Sequence, residues 1–177
     1  METDQQLIQD AAQGNTQAFT VLYERYRDWV YRLAWRFTGD QDLALDVLQD
    51  TWMYVLKKLP TLELTAKLTT FLYPAVRNLS LNAIQAKKRF IGTSDVLEEL
   101  PASPSYSQEP NLEDLAEVLS ALPRDQRQVV LMRFVDDMTI NEIAQTLGIR
   151  DGTVKSRLHH ALEKLRQDQR CRRYFLE

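Results

Sequence analysis

A chain of 177 residues with 22 basic and 25 acidic side chains, formal net charge −3, has room for one ordinary domain or two small ones. The acidic balance argues against a protein that coats nucleic acid by bulk charge. No apolar run reaches the roughly 18 residues that span a bilayer, and a single cysteine, Cys171, excludes an intrachain disulfide.

Glycine (5) and proline (6) are scarce, and so are alternating β-branched runs, so the expected fold class is all-α. The acidic, polar N-terminus does not match a signal peptide, so a cytoplasmic location is expected. A first helix is expected from Asp4 to Gln13, with Gly14-Asn15 as its stop. A second starts near Thr16 and ends at Gly39. Its Phe19, Leu22, Tyr23, Tyr26, Trp29, Val30, Leu33 and Phe37 follow helical spacing and read as core.

The third helix is expected from Asp40 to Leu59. At 100° per residue, Leu45, Leu48, Trp52, Val55, Leu56 and Leu59 share one apolar arc, the expected inner face. Asp42, Asp46, Gln49, Asp50 and Met53 share the neighbouring arc. Two readings fit it: a solvated face, or a rigid acidic stripe that docks a basic partner helix. A metal-binding acid cluster fits poorly, because acids spaced i, i+4 on one surface helix rarely enclose an ion. No metal, cofactor or catalytic activity is expected.

The fourth segment, Thr65 to Phe90, reads as helical from Ala75 onward, with Val76, Leu79, Ala83 and Ile84 inside. Arg77, Asn78, Asn82, Gln85 and Lys88 point outward. Amides, aromatics and cations suit contact with unpaired bases, although a solvated helix shows the same pattern. Pro74 removes an amide donor and disfavours helical geometry at Tyr73, so the helix is expected to begin or kink there.

Residues 92–111, "GTSDVLEELPASPSYSQEPN", hold three prolines and four serines and read as a flexible acidic linker. Two small helical domains, 1–91 and 112–177, flank it. In the second, Leu112 to Leu122 and Pro123 to Phe134 read as helices. Thr139 and Glu142 form a capping box before Ile140, Ile143, Ala144 and Leu147. Gly148 ends that helix, and another carries Val154, Leu158, Ala161, Leu162 and Leu165 inward. This is a helix-turn-helix pattern whose second helix presents Thr153, Lys155, Ser156 and His159 outward. Arg150 to Arg173 holds eight basic and three acidic residues, net +5. His159 and His160 diverge by about 100°, which argues against a shared metal.

From Leu122-Pro123 and Arg127 through Glu142-Ile143-Ala144 and Leu147-Gly148 to Gly152-Thr153-Val154-Lys155-Ser156-Arg157, the sequence resembles region 4 of extracytoplasmic-function (ECF) sigma factors of bacterial RNA polymerase. "NTQAFTVLYERYRDWVYRLAWRFTGDQDLALDVLQDTWMYVLKKL" and "FLYPAVRNLSLNAIQAKKR" resemble region 2. The resemblance implies an alternative sigma factor, a non-enzymatic subunit that directs core polymerase to promoters. Asp46, Gln49, Asp50 and Met53 would dock on the β′ clamp helices, and the β flap would be a second polymerase contact. Lys67, Phe71, Tyr73, Arg77, Asn78 and Asn82 would open the −10 element and read its single-stranded non-template bases, while Lys87, Lys88 and Arg89 hold the backbone. Lys155, Ser156, His159 and His160 would read the double-stranded −35 element, with Arg150 and Thr153 near phosphates and Arg157 in the same basic set. An anti-sigma factor packed between or around the domains is a further implied partner. Membrane insertion is not.

Four positions depart from the family pattern. Asp50 stands in place of glutamate. Phe71 replaces tryptophan, and Pro74 falls where the helix is continuous. Arg150 opens the recognition helix, leaving Asp151 as the expected cap. The alternative reading is an independent helix-turn-helix regulator that binds duplex DNA without polymerase.

Overall fold

The computed structural model describes residues 2–64, 66–91 and 117–168. Every regular element among them is helical. The chain divides into two compact units, Met1–Pro101 and Ala102–Glu177. The expected linker, 92–111, lies outside the described residues, as do most of the Leu112 to Leu122 helix and Cys171.

In the first unit, α1 (Asp4–Ala12) is opened by a capping box between Thr3 and Gln6. Helix α2 (Thr16–Thr38) starts on Asn15, whose side chain accepts from the amides of Gln17 and Ala18. It ends at Gly39, whose φ of 62° is left-handed backbone that glycine adopts without a Cβ penalty. Asp40 then caps α3 (Gln41–Lys58), its Oδ1 accepting from the amides of Asp42 (3.0 Å) and Leu43 (3.1 Å). A 3-10 turn at Leu59–Thr61 leads towards α4 (Leu68–Ile91).

Helix α2 packs against α1, α3 and α4, and α3 packs against α4. Leu7, Leu22, Val30, Leu33, Phe37, Val47, Val55, Leu68, Leu72 and Val76 fill the core between them. Trp52 meets Phe19 and Tyr23 edge-on, at centroid distances of 5.7 and 5.2 Å. Of the α2 aromatics expected in the core, Phe37 is buried, whereas Phe19, Tyr23, Tyr26 and Trp29 are half-buried.

Two expectations need correction. The buried face of α3 carries Ala44, Val47, Thr51, Trp52 and Val55, so the helix is turned from the expected arc. Leu45 and Leu56 are 48% and 43% exposed. Small Ala44 and Thr51 permit the close approach, and the Thr51 hydroxyl satisfies itself on the Val47 carbonyl at 2.7 Å. Moreover, α4 begins at Leu68 and runs through Pro74. A mid-helix proline costs about 3 kcal/mol. Burying Leu68 and Leu72 on the helical turns before it returns about 1.5–3 kcal/mol each. Packing therefore offsets the local cost, and the proline ring sits on the exposed side.

In the second unit, residues 117–120 are helical. The guanidinium of Arg127 donates to the carbonyls of Ser120 and Leu122, closing the turn before α5 (Arg124–Phe134). The capping box opens α6 (Ile140–Leu147) as expected: the Thr139 amide donates to Glu142 Oε2 at 2.6 Å. Gly148, φ 65°, ends it in the left-handed region. The next helix, α7 (Asp151–Gln167), packs on α5 and α6 through Val154, Leu158, Ala161 and Leu165. Its N-cap is Arg150, without a side-chain bond. Asp151, expected as the cap, is the first helical residue, where its charge still favours the helix dipole.

Candidate nucleic-acid and partner interfaces

The rotation of α3 sets the character of its outer face. Asp42, Asp46, Gln49, Asp50 and Met53 are all exposed, and Leu45, Leu56 and Met53 stand among them as exposed apolar side chains. The face is therefore acidic and apolar together. Apolar side chains left in water beside a fixed row of carboxylates match the composition of a docking surface better than that of a solvated one.

The residues expected to read unpaired DNA divide. Asn78 and Asn82 are exposed on α4, as are Lys67 before it and Lys87 and Arg89 towards its end; Arg77 and Lys88 are half-buried. Tyr73 is 1% exposed and belongs to the core, its ring edge-on to Phe37 at 5.9 Å and its hydroxyl 3.5 Å from the Arg36 guanidinium. A side chain so enclosed cannot reach a base. Its neighbour Phe71 is available in its place. The Phe71 ring lies nearly parallel to that of Tyr54 on α3 (13°, centroids 5.8 Å apart), with the Lys58 ammonium 5.8 Å from the Tyr54 ring centroid.

Beside this stack is a cavity of about 410 Å³ lined by Tyr54, Thr70, Phe71, Pro74, Asn78 and Leu79. The Thr70 hydroxyl oxygen is buried without a hydrogen-bond partner among the described residues. The walls thus combine aromatic faces and an exposed amide, the chemistry that stacks on and hydrogen-bonds a planar heterocycle. Tyr54 and Lys58 were not expected here. Tyr54 falls outside the apolar arc of its helix, and that misfit was the one signal in the sequence.

At the end of α4 the three cations are not equivalent. Lys87 pairs with the Asp40 carboxylate, the group that caps α3. That hydrogen bond, with the backbone amide of Leu43, holds the Asp40 carboxyl below the usual carboxylate range. Arg89 donates to the Gln85 carbonyl of its own helix at 3.3 Å. Phe90, next in the chain, is 94% exposed.

Arg150, the N-cap of α7, and Thr153, Lys155, Ser156, His159 and His160 on the helix are all exposed. Their shared outward placement follows from Val154, Leu158 and Ala161 taking the inner face. Arg157 differs: it is half-buried and paired to Asp125 of α5 at 2.6 Å, so it joins two helices of the unit. Glu163 lies one turn beyond the histidines, its carboxylate oxygens 3.6 Å from His159 Nε2 and 3.6 Å from His160 Nδ1. Among the described residues, no group of three or more histidine, cysteine or carboxylate side chains could hold a metal. No described helix is long and apolar enough to cross a membrane.

The family model for Sigma-70 region 2 matches residues 22–90, which span α2 to α4. The model for Sigma-70, region 4 matches residues 112–165, which span the helix-turn-helix. The chain is 27% identical over 178 aligned residues to the ECF RNA polymerase sigma factor SigW of Bacillus subtilis (strain 168), covering 92% of this chain and 95% of the relative. It is 29% identical over 177 residues to the ECF RNA polymerase sigma-E factor of Escherichia coli (strain K12), covering 92% of each. Among solved structures it resembles CnrH in its complex with the cytosolic domain of CnrY (TM-score 0.64, 23% identity, 92% of this chain and 94% of that one). It also resembles the sigma factor RpoE of Bartonella quintana, solved with the anti-sigma factor NepR (TM-score 0.60, 24% identity, 84% and 94%). Two family models in order on two helical units, with full-length ECF relatives, assign the chain to the sigma-70 family, in its extracytoplasmic-function branch.

Proposed function

We propose that this chain is an alternative sigma factor that binds core RNA polymerase and selects promoters through two DNA readers, one on each unit. The observation that carries the reading is the pairing, on one chain, of the acidic and apolar outer face of α3 with the exposed Thr153-Lys155-Ser156-His159 face of α7. A duplex reader alone would need no α3 face of that kind.

In this reading the α3 face, Asp46, Gln49, Asp50 and Met53 with Leu45 and Leu56 beside them, docks on the β′ clamp helices, and the second unit contacts the β flap. Lys155, Ser156, His159 and His160 contact base edges of the −35 element, and Arg150 and Thr153 its phosphates. Lys67, Asn78, Asn82 and the Phe71–Tyr54 cavity act at the −10 element. An extruded base costs a few kcal/mol of stacking, and the aromatic faces and the Asn78 amide supply compensating contacts. Lys88 and Arg89 track the backbone. Residues 92–111 act as the linker between readers. An anti-sigma factor is a regulatory partner in this reading, supported by the relative whose structure was solved with one.

The test is a mobility shift with promoter DNA, with and without core polymerase. A sigma factor binds weakly alone and tightly in the holoenzyme, and then initiates transcription. Equally tight binding without polymerase would replace this reading with that of an independent helix-turn-helix regulator.

A further inference from the structure

Outside the DNA-reading surfaces, one reactive group is placed where chemistry on it would be felt. Met53 is 48% exposed, while Met132 and Met138 are 0% and 1% exposed. Among the described residues it is therefore the sulfur that solvent oxidants reach. On α3 its neighbours at helical spacing are Gln49, Asp50, Leu56 and Lys57. It thus stands inside the acidic and apolar face, not at its margin.

We propose that Met53 is an oxidation site, and that its conversion to the sulfoxide weakens docking of this chain on polymerase. The proposal rests on the reading of the α3 face as the polymerase contact. The oxidant is hydrogen peroxide or another two-electron oxygen donor. The thioether sulfur gives an electron pair to one peroxide oxygen; the O–O bond breaks and an S–O bond forms. The departing hydroxide takes the proton from the transferred oxygen and leaves as water. Sulfur is oxidised by two electrons and the peroxide is reduced by two.

The product matters because of what surrounds it. A thioether adapts to an apolar partner surface, whereas a sulfoxide carries a strong dipole and an acceptor oxygen that such a surface leaves unsatisfied. Leu45 and Leu56 on the same face do not react, so the effect is a partial loss of affinity of about tenfold. Methionine sulfoxide reductases reverse the change, which makes it a switch rather than damage.

The experiment uses the full chain in a Cys171→Ser background, treated with peroxide, cleared with catalase and then titrated against untreated core polymerase. Peptide mass spectrometry is expected to find one added oxygen on the Met53 peptide before the Met132 and Met138 peptides. Affinity is expected to fall about tenfold and to return after reductase treatment. Met53→Leu, compared with its own untreated affinity, is expected to show no peroxide-dependent loss. Oxidation of Met53 without loss of affinity, or an equal loss in Met53→Leu, overturns the proposal. Asp46→Arg with Asp50→Arg separates the two layers. If that variant binds core normally, the docking reading falls and this proposal with it. If it fails to bind while Met53-oxidised protein binds fully, the oxidation proposal alone falls.

Discussion

Reversing two charges on α3, Asp46→Arg with Asp50→Arg, bears most heavily on the partner face. Both side chains are exposed. They sit in mid-helix, away from both dipole ends, and one turn apart, so in the free protein they repel each other weakly. Arginine is also the better helix former. The variant should therefore fold, with each change worth less than about 0.5 kcal/mol to stability. At a docked interface the arithmetic differs. Each reversal removes an attraction and installs a repulsion against a basic partner surface, and close charge pairs at interfaces couple by about 1.5 kcal/mol or more. Two reversals together should cost at least about 3 kcal/mol, or roughly a hundredfold in core affinity. Fluorescence anisotropy of labelled protein against core polymerase measures this, with thermal melting by circular dichroism as the folding control. A folded variant whose core affinity stays within about twofold of wild type refutes the docking assignment.

Other perturbations probe individual residues. Lys155→Ala is expected to weaken promoter binding by the holoenzyme by about 1–3 kcal/mol, to relax specificity at one −35 base pair, and to lower the salt slope because a cation is lost from the DNA face. Arg157→Ala should chiefly lower the stability of the second unit, by up to about 1 kcal/mol, because it breaks the pair with Asp125. A salt-slope change as large as that of Lys155→Ala would contradict this. Pro74→Ala restores a backbone donor within α4 and should raise the stability of the first unit by about 1–3 kcal/mol in urea melts; a decrease would contradict the account of a proline tolerated at a cost. The Asp40 carboxyl, lowered by its bond from Lys87, contributes stability that is fully present above the ordinary carboxylate range. That contribution is lost as pH falls through the lower, folded-state range. Lys87→Met should thus destabilise the first unit at neutral pH and flatten its loss of stability on acidification. An unchanged acid profile would contradict the pairing.

Caps and stops were legible because they depend on short-range chemistry. Gly39 and Gly148 end helices where a left-handed residue is required, and Thr139 with Glu142 opens one by two reciprocal bonds. The outward set of α7 was legible too, since a helix of 17 residues with four buried positions fixes its own phase. Leucine spacing alone turns the inner face of α3 too far round. Burial there went instead to Ala44 and Thr51, which let helices approach closely, and Leu45 and Leu56 were left outside. Pro74 does not begin its helix, because burial of Leu68 and Leu72 on the turns before it offsets the local cost of the proline. Tyr73 and Arg157 carry side chains suited to nucleic acid but spend them on Arg36 and on Asp125. Such partners, 37 and 32 positions distant in the chain, leave no periodic trace. The role of Tyr54 was hidden for the same reason: its stacking partner Phe71 lies on another helix.

The central claim is that this chain gives core polymerase a promoter choice. Mapping transcription start sites on genomic DNA in vitro, with core polymerase alone and with core plus this chain, tests it most directly. The account predicts a discrete set of starts that appears only with the chain, shares −35 and −10 elements at constant spacing, and vanishes with Asp46→Arg and Asp50→Arg. No new starts, under conditions where another ECF sigma factor directs initiation with the same core, would contradict it.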